Sequence, residues 1–277
     1  MRNFKVLYCV IALTMCGIFA ANAQQLRYSV ALPYIGLNAY STKQTDPLSF
    51  TNNQAALAAI KQSGFGAFGE RRFLLNETTA YGLAAAFKTN KGNFGVQANY
   101  GGFSNFNESK IGLAYARSLG KALDVGVQFN YYRYSIPGFS TAAAVNFEAG
   151  IILHLSEKLN VGIHLFNPIG GNLGKLKDEK LASEYELGFG YDASDNFYVS
   201  AEITKEEDKP VNVTGGIQYH FLSILFLRAG FLSSTGSAFA GVGVGFNNLR
   251  LDVAVNNHPQ LGLSPGLLLI VNFKDKK

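Results

Sequence analysis

The residues able to do chemistry recur at every second position of short segments. On one parity lie Glu148, His154, His164, Glu184, Glu186, Glu202, Arg228, Arg250 and Asp252. Carboxylates and imidazoles act as general acids and bases when a nucleophile, a base and an orienting group converge. No motif sets a serine beside either histidine, and no H-E-x-x-H pair signals a metal site. The stretch Gly170-Gly171-Asn172-Leu173-Gly174-Lys175 is one residue short of a phosphate loop and lacks the Ser or Thr that should follow; it reads as a loop. The expectation is a non-enzymatic protein without metal or cofactor. The remote alternative is a hydrolase built on His154 or His164.

The elements that carry these residues are strands. Leu123, Val125, Val127, Phe129 and Tyr131 alternate with Asp124, Gly126, Gln128 and Asn130. Val145 to Leu153 alternates in the same way with Asn146, Glu148, Gly150, Ile152 and His154, and Ala240 to Phe246 with Gly241, Gly243 and Gly245. Strand side chains point to opposite faces in turn, so each segment has one apolar and one polar face. About 14 such segments follow one another, near 64–73, 77–88, 93–103, 107–117, 122–134, 141–155, 158–166, 182–192, 196–205, 210–220, 223–232, 236–246, 248–256 and 264–273. Each is roughly the length of a tilted membrane-spanning strand. A soluble sandwich would have to pair that many apolar faces, whereas a barrel in lipid turns them outward and leaves no open edge. The fold class expected is therefore all-β: a transmembrane antiparallel β-barrel over 64–273. Glu148, His164, Glu184, Glu186, Glu202, Arg228, Arg250 and Asp252 then face the lumen. Glu184, Glu186 and Glu202 are neighbours, with Arg228 and Arg250 further round. This wall either biases permeation or anchors a plug, and the sequence leaves both open.

Connections after even-numbered segments are tight, and the others are mostly longer, notably Asn167–Leu181 and Asn257–Leu263. Short periplasmic turns and longer outer loops are the barrel pattern. Phe94, Tyr115, Tyr191, Phe197, Tyr219, Phe246 and Phe273 fall near one set of strand ends. Phe73, Tyr81, Tyr100, Tyr131 and Tyr185 fall near the other, as two interfacial belts would.

The N-terminus sets the compartment. Arg2 and Lys5 precede the apolar run Val6–Ala20, and Ala21-Asn22-Ala23 reads as a cleavage site, so residues 1–23 are expected to be a cleaved signal peptide. Both cysteines, Cys9 and Cys16, lie within it, which excludes disulfides and a cysteine nucleophile from the mature chain. Of the 277 residues 48% are hydrophobic and 16% charged, with 30 Gly; the net charge of +5 forms no basic, aromatic-interleaved cluster, so nucleic acid is excluded as a partner. The expected location is the outer membrane of a Gram-negative bacterium, with its lipid as the first partner.

Residues 24–63 are polar and mixed, contain Pro33 and Pro47, and hold a helix-like stretch from Asn53 to Ile60. They read as a segment entering the barrel from the periplasm, with a four-residue tail, 274–277, at the other end of the chain. Asp46-Pro47-Leu48-Ser49-Phe50 followed by Asn52-Asn53-Gln54-Ala55-Ala56-Leu57-Ala58 resembles the N-P-A-G-L-A signature before the first strand of FadL-like outer-membrane proteins. It is most similar to the PorV/PorQ-like branch of Bacteroidota, as is Gly69-Glu70-Arg71-Arg72-Phe73. Gln54 stands where the signature has proline and Ala56 where it has glycine. The resemblance implies 14 strands, a pre-barrel motif of Asn53, Gln54, Ala55, Ala56 and Leu57, and an accessory role in type IX secretion or surface assembly, with secretion or assembly proteins as partners. The alternative it implies is a FadL-like channel for small hydrophobic compounds, with the N-terminal segment as hatch.

Overall fold

The computed structural model describes residues 36–138, 140–172, 180–221 and 224–273. The expected signal peptide, the first part of the 24–63 segment and the tail 274–277 lie outside them.

Alternation becomes strand in every expected segment. The chain forms β1 (Gly64–Arg71), β2 (Thr79–Phe87), β3 (Asn93–Phe103), β4 (Phe106–Ser118), β5 (Leu123–Ile136), β6 (Ser140–His154) and β7 (Leu159–Phe166). A two-residue ladder, β8 (Gly171–Asn172) with β9 (Lys180–Leu181), sits apart in the connection that follows. The wall resumes with β10 (Glu184–Asp192), β11 (Phe197–Glu206), β12 (Asn212–Phe221), β13 (Leu225–Leu232), β14 (Ser237–Phe246), β15 (Leu249–His258) and β16 (Gly262–Asn272). Fourteen of these strands close into one antiparallel barrel, in which β1 pairs with both β2 and β16. Closure satisfies every backbone edge internally, a requirement in hydrocarbon, where an unpaired N–H or C=O costs several kcal/mol.

The two faces differ as the alternation demands. Leu113 (60% exposed), Phe129 (63%) and Val145 (71%) point outward, while Gln97, Gln128 and Glu148 on the same sheet are about 1% exposed or less. Apolar side chains outside and polar ones inside describe a barrel whose solvent outside is lipid. Among the described residues no helix is long and apolar enough to cross a membrane; crossing is by strands.

Aromatic pairs ring the end where the β2–β3, β4–β5 and other even turns lie. Phe94 meets Tyr115 at a tilt with centroids 5.1 Å apart, Phe197 meets Tyr219 at 6.4 Å and Phe65 meets Phe273 at 6.1 Å. Two expectations need correction. Phe73 is not in the opposite belt: it leaves the wall with φ 53°, Leu74 follows with φ 59°, and its ring turns inward to meet His258 edge-on at 5.8 Å. Two consecutive left-handed residues cost roughly 1–2 kcal/mol each. They are held by Phe73 N–H donating to Ser264 Oγ (3.0 Å) and Thr78 Oγ1 donating to the Arg72 carbonyl (2.6 Å). The loop-length asymmetry is also weaker than expected. β15 continues to His258 and β16 begins at Gly262, which leaves only residues 259–261 between them, and β3 and β4 are joined by residues 104–105 alone. The long connection between β7 and β10 carries most of the difference.

Residues 36–62 run inside the ring. Three short 3-10 turns, Leu37–Tyr40, Ser49–Thr51 and Gln54–Ala59, replace the helix that the alanine-rich stretch suggested. Asn53 caps the last one by accepting from Ala55 N–H at 3.0 Å. The apolar residues of this segment, Leu48, Phe50, Leu57 and Ile60, pack against Phe68, Leu268, Ile270 and Phe239 on the inward faces of β1, β16 and β14.

Candidate functional site

Inward parity on β4, β6, β7, β10 and β11 assembles a first cluster. Glu148 is 1% exposed and receives Lys110 Nζ at 2.6 Å, Asn130 Nδ2 at 2.8 Å and a bond from Gln54 Nε2 of the inner segment. His164 lies between two carboxylates, with Nδ1 2.8 Å from Glu186 and Nε2 3.3 Å from Glu148. Glu202 accepts from the Tyr40 hydroxyl and from Asn52 Nδ2, each at 2.7 Å. Burial first, and Glu202 second, push the Tyr40 hydroxyl well above its ordinary pKa, so it stays a donor. Glu184 is 9% exposed at the start of β10, at the same end as Glu206 across the β10–β11 ladder. Lys110 also sits over the rings of Tyr132 (5.5 Å) and Phe166 (5.6 Å), which meet edge-on.

A second cluster lies on β13 and β15. Asp252, wholly buried, is shared by Arg250 Nε (3.1 Å) and Arg228 Nη1 (3.5 Å), and Arg228 Nε also donates to Gln218. Arg250 reaches across to Asp46 of the inner segment at 2.9 Å. Burial alone would raise the Asp46 carboxyl, but Arg250 and Arg228 overcome this and hold it below its ordinary value. Gly243 leaves room for Asp252: a Cβ there would fall 2.0 Å from its Oδ1.

The predicted residues therefore gather in two groups, and both reach the inner segment. Among the pre-barrel motif residues, Asn53 donates to the Ile163 carbonyl (3.2 Å), Gln54 to Glu148, and the Leu57 carbonyl accepts from Asn93 Nδ2 (2.8 Å); Ala55 and Ala56 are fully buried. Wall glycines fit this segment closely. A Cβ at Gly126 would fall 2.4 Å from the Gln54 carbonyl carbon, and at Gly188 2.0 Å from the Tyr40 ring. Lys110 and Tyr40 were missed in the sequence, and Asp46 entered only as part of the quoted signature. The parity of Ile111, Leu113 and Tyr115 places Lys110 inward, but nothing local marks Tyr40.

Both imidazoles are held by carboxylates and amides. His154 bonds Asp124 (3.0 Å) and Asn160 (2.7 Å), and among the described residues no hydroxyl contacts either His154 or His164. No group of three potential ligands able to hold a metal occurs among them.

Beyond Thr51 and Asn52, toward the long-connection end, a cavity of about 500 Å³ remains in the lumen. Its lining includes Phe68, Phe73, Lys110, His164, Glu186 and Glu202.

No protein-family model and no curated protein matches the chain. Solved barrels do. The chain is similar to the Pseudomonas putida toluene transporter TodX at 10% identity and a TM-score of 0.60, over 86% of this chain and 98% of that one. A TodX mutant described as a monoaromatic hydrocarbon channel gives 0.62 at 10% identity, over 82% and 94%. A Pseudomonas aeruginosa FadL homologue gives 0.57 at 12%, over 83% and 95%. At such identities the likeness speaks for the fold alone: the chain folds as an outer-membrane-type, 14-stranded barrel of the shape these channels share.

Proposed function

We propose that the mature chain is an outer-membrane channel for small, largely apolar solutes, with residues 24–63 as its plug and residues 1–23 as an export leader removed after Ala23. The observation that carries this reading is the 500 Å³ lumenal cavity beyond Thr51–Asn52, with Phe68 and Phe73 in its lining. Its size suits a small organic molecule rather than a protein segment. The structural neighbours named above, a toluene transporter and a hydrocarbon channel, favour the same class. The secretion-accessory role led the sequence reading, but it draws no support from these neighbours, so the channel takes its place. The imidazoles, clamped between acceptors, give no support to the hydrolase.

Uptake of a small aromatic solute by cells with and without the gene tests the channel. Slower uptake with an unchanged set of surface proteins is the expected result. Unchanged uptake with lost surface proteins would return the secretion role to first place. Outer-membrane fractionation, heat-modifiable gel migration and an N-terminus at Gln24 check location and processing.

A further inference from the structure

The cavity is two-sided. β10, which carries Glu186, stands seven strands from β1, which carries Phe68, by either route round the ring of fourteen. One wall thus presents Glu186, Glu202 and His164. The opposite side presents Phe68, and Leu232 and Phe73 extend its apolar surface.

Most charged groups of the lining meet a partner of opposite sign. Lys110 neutralises Glu148 at 2.6 Å, Lys209 meets Glu206 at 3.1 Å, and Arg72 meets Glu70 at 3.0 Å. Of the lining carboxylates Glu184, Glu186 and Glu202 that remain, the last two lie diagonally across the β10–β11 ladder, where Glu186 faces Thr204 and Glu202 faces Gly188. Among the described residues His164 is the basic group in contact with Glu186, and it also serves Glu148. The donors to Glu202, Tyr40 and Asn52, are neutral. Two carboxylates share one imidazole in a largely desolvated space, where a bound cation would favour their charged forms.

An independent observation comes from the lining amides. Asn256 on β15 lines the cavity, is 8% exposed, and its Oδ1 has no hydrogen-bond partner. Gln97 on β3 lines it too, at 1% exposure, with Nε2 unpartnered. Buried amide groups normally find partners. Two residues of the lining thus each keep one buried hydrogen-bonding group unused.

We infer that the cavity selects small organic cations: a protonated amine set against Glu186 and Glu202, on an apolar body that packs on Phe68 and Leu232. This rests on the channel reading and narrows its substrate class. The test uses the purified full-length chain in detergent and calorimetric titration with benzylamine, benzyl alcohol and benzoate. These probes share one ring and differ in charge. Benzylamine should bind about tenfold or more tighter than benzyl alcohol, since charge-assisted hydrogen bonds are roughly twice as strong as neutral ones. Benzoate should be weakest. The double substitution Glu186→Gln with Glu202→Gln should bring benzylamine down to the level of benzyl alcohol, with heat-modifiable migration verifying the barrel. Should that variant fail to fold, the order of the three probes on the native chain still decides. Equal binding of amine and alcohol overturns the cation inference and leaves the channel reading standing. Absence of binding by all three overturns both.

Discussion

Replacing Gly126 by alanine tests whether the inner segment is the plug. The added Cβ would lie 2.4 Å from the Gln54 carbonyl carbon, 2.5 Å from its oxygen and 2.6 Å from Ala55 N. All three are backbone atoms, so no flexible side-chain tip can give way. Overpacking of this kind costs about 1–3 kcal/mol. Lifting the Gln54–Ala59 turn relieves the strain but loses the Gln54 bond to Glu148 and the Asn53 bond to the Ile163 carbonyl. The barrel ladder around Gly126, paired with Ala116 and Gly150, needs no change. The strain therefore falls on the seated state alone and shifts the seated-to-lifted ratio by about 5- to 150-fold. Planar-bilayer recordings should show a matching rise in open time, while migration of the folded barrel on a gel stays native. Gly266→Ala is the control, because its nearest atoms would lie at 3.5 and 3.6 Å, an ordinary contact. Equal conductance of Gly126→Ala and Gly266→Ala would refute the assignment of the segment as plug.

Other outcomes follow from the same geometry. Leu113→Arg, on the lipid face midway along β4 and 60% exposed, should lower barrel stability by about 2–4 kcal/mol in urea unfolding from bilayers; Thr204→Arg, facing the cavity, should cost much less. The Asp46 carboxyl has its folded-state value depressed, so its contribution to seating is complete above the ordinary value of 3.8 and is lost as pH falls through the depressed one. Open time should accordingly rise on acidification below about pH 4, and Asp46→Asn should be more open at neutral pH with that acid step removed. Tyr40→Phe leaves Glu202 without one of its two donors from the inner segment and should weaken seating by about 1.5–3 kcal/mol, read as protease cleavage within residues 36–60.

Most of the wall was legible because lipid outside and polar lumen inside impose a period of two, and a strand of eight or more residues repeats it several times. Legibility failed where the inside is apolar as well. Leu267 to Val271 on β16 reads as an unbroken apolar run, yet Leu268 and Ile270 point inward, because the inner segment gives them Leu48 and Phe50 to pack on. The inner segment itself was recognisable as different, but its path was not. Alanine-rich sequence favours helix, whereas the space between the walls admits only short turns pinned by wall side chains such as Glu148, Glu202 and Arg250. Phe73 was misplaced for a related reason: a left-handed pair interrupts parity without leaving a glycine to announce it. Of the site, parity placed each charged residue on a face, but which charges meet depends on strand register and on Tyr40 and Asp46, whose partners lie more than a hundred residues away.

The closing pair β1–β16 joins strands from opposite ends of the barrel sequence, and the inner segment packs on that seam while also bonding β6, β7, β11 and β15. Its binding surface exists only once the ring is complete. Pairings so distant in sequence form late, so the segment has no seat on a half-built wall. Protection of residues 36–60 from protease should therefore appear together with closure, which makes this stretch a clock for the last step of barrel assembly.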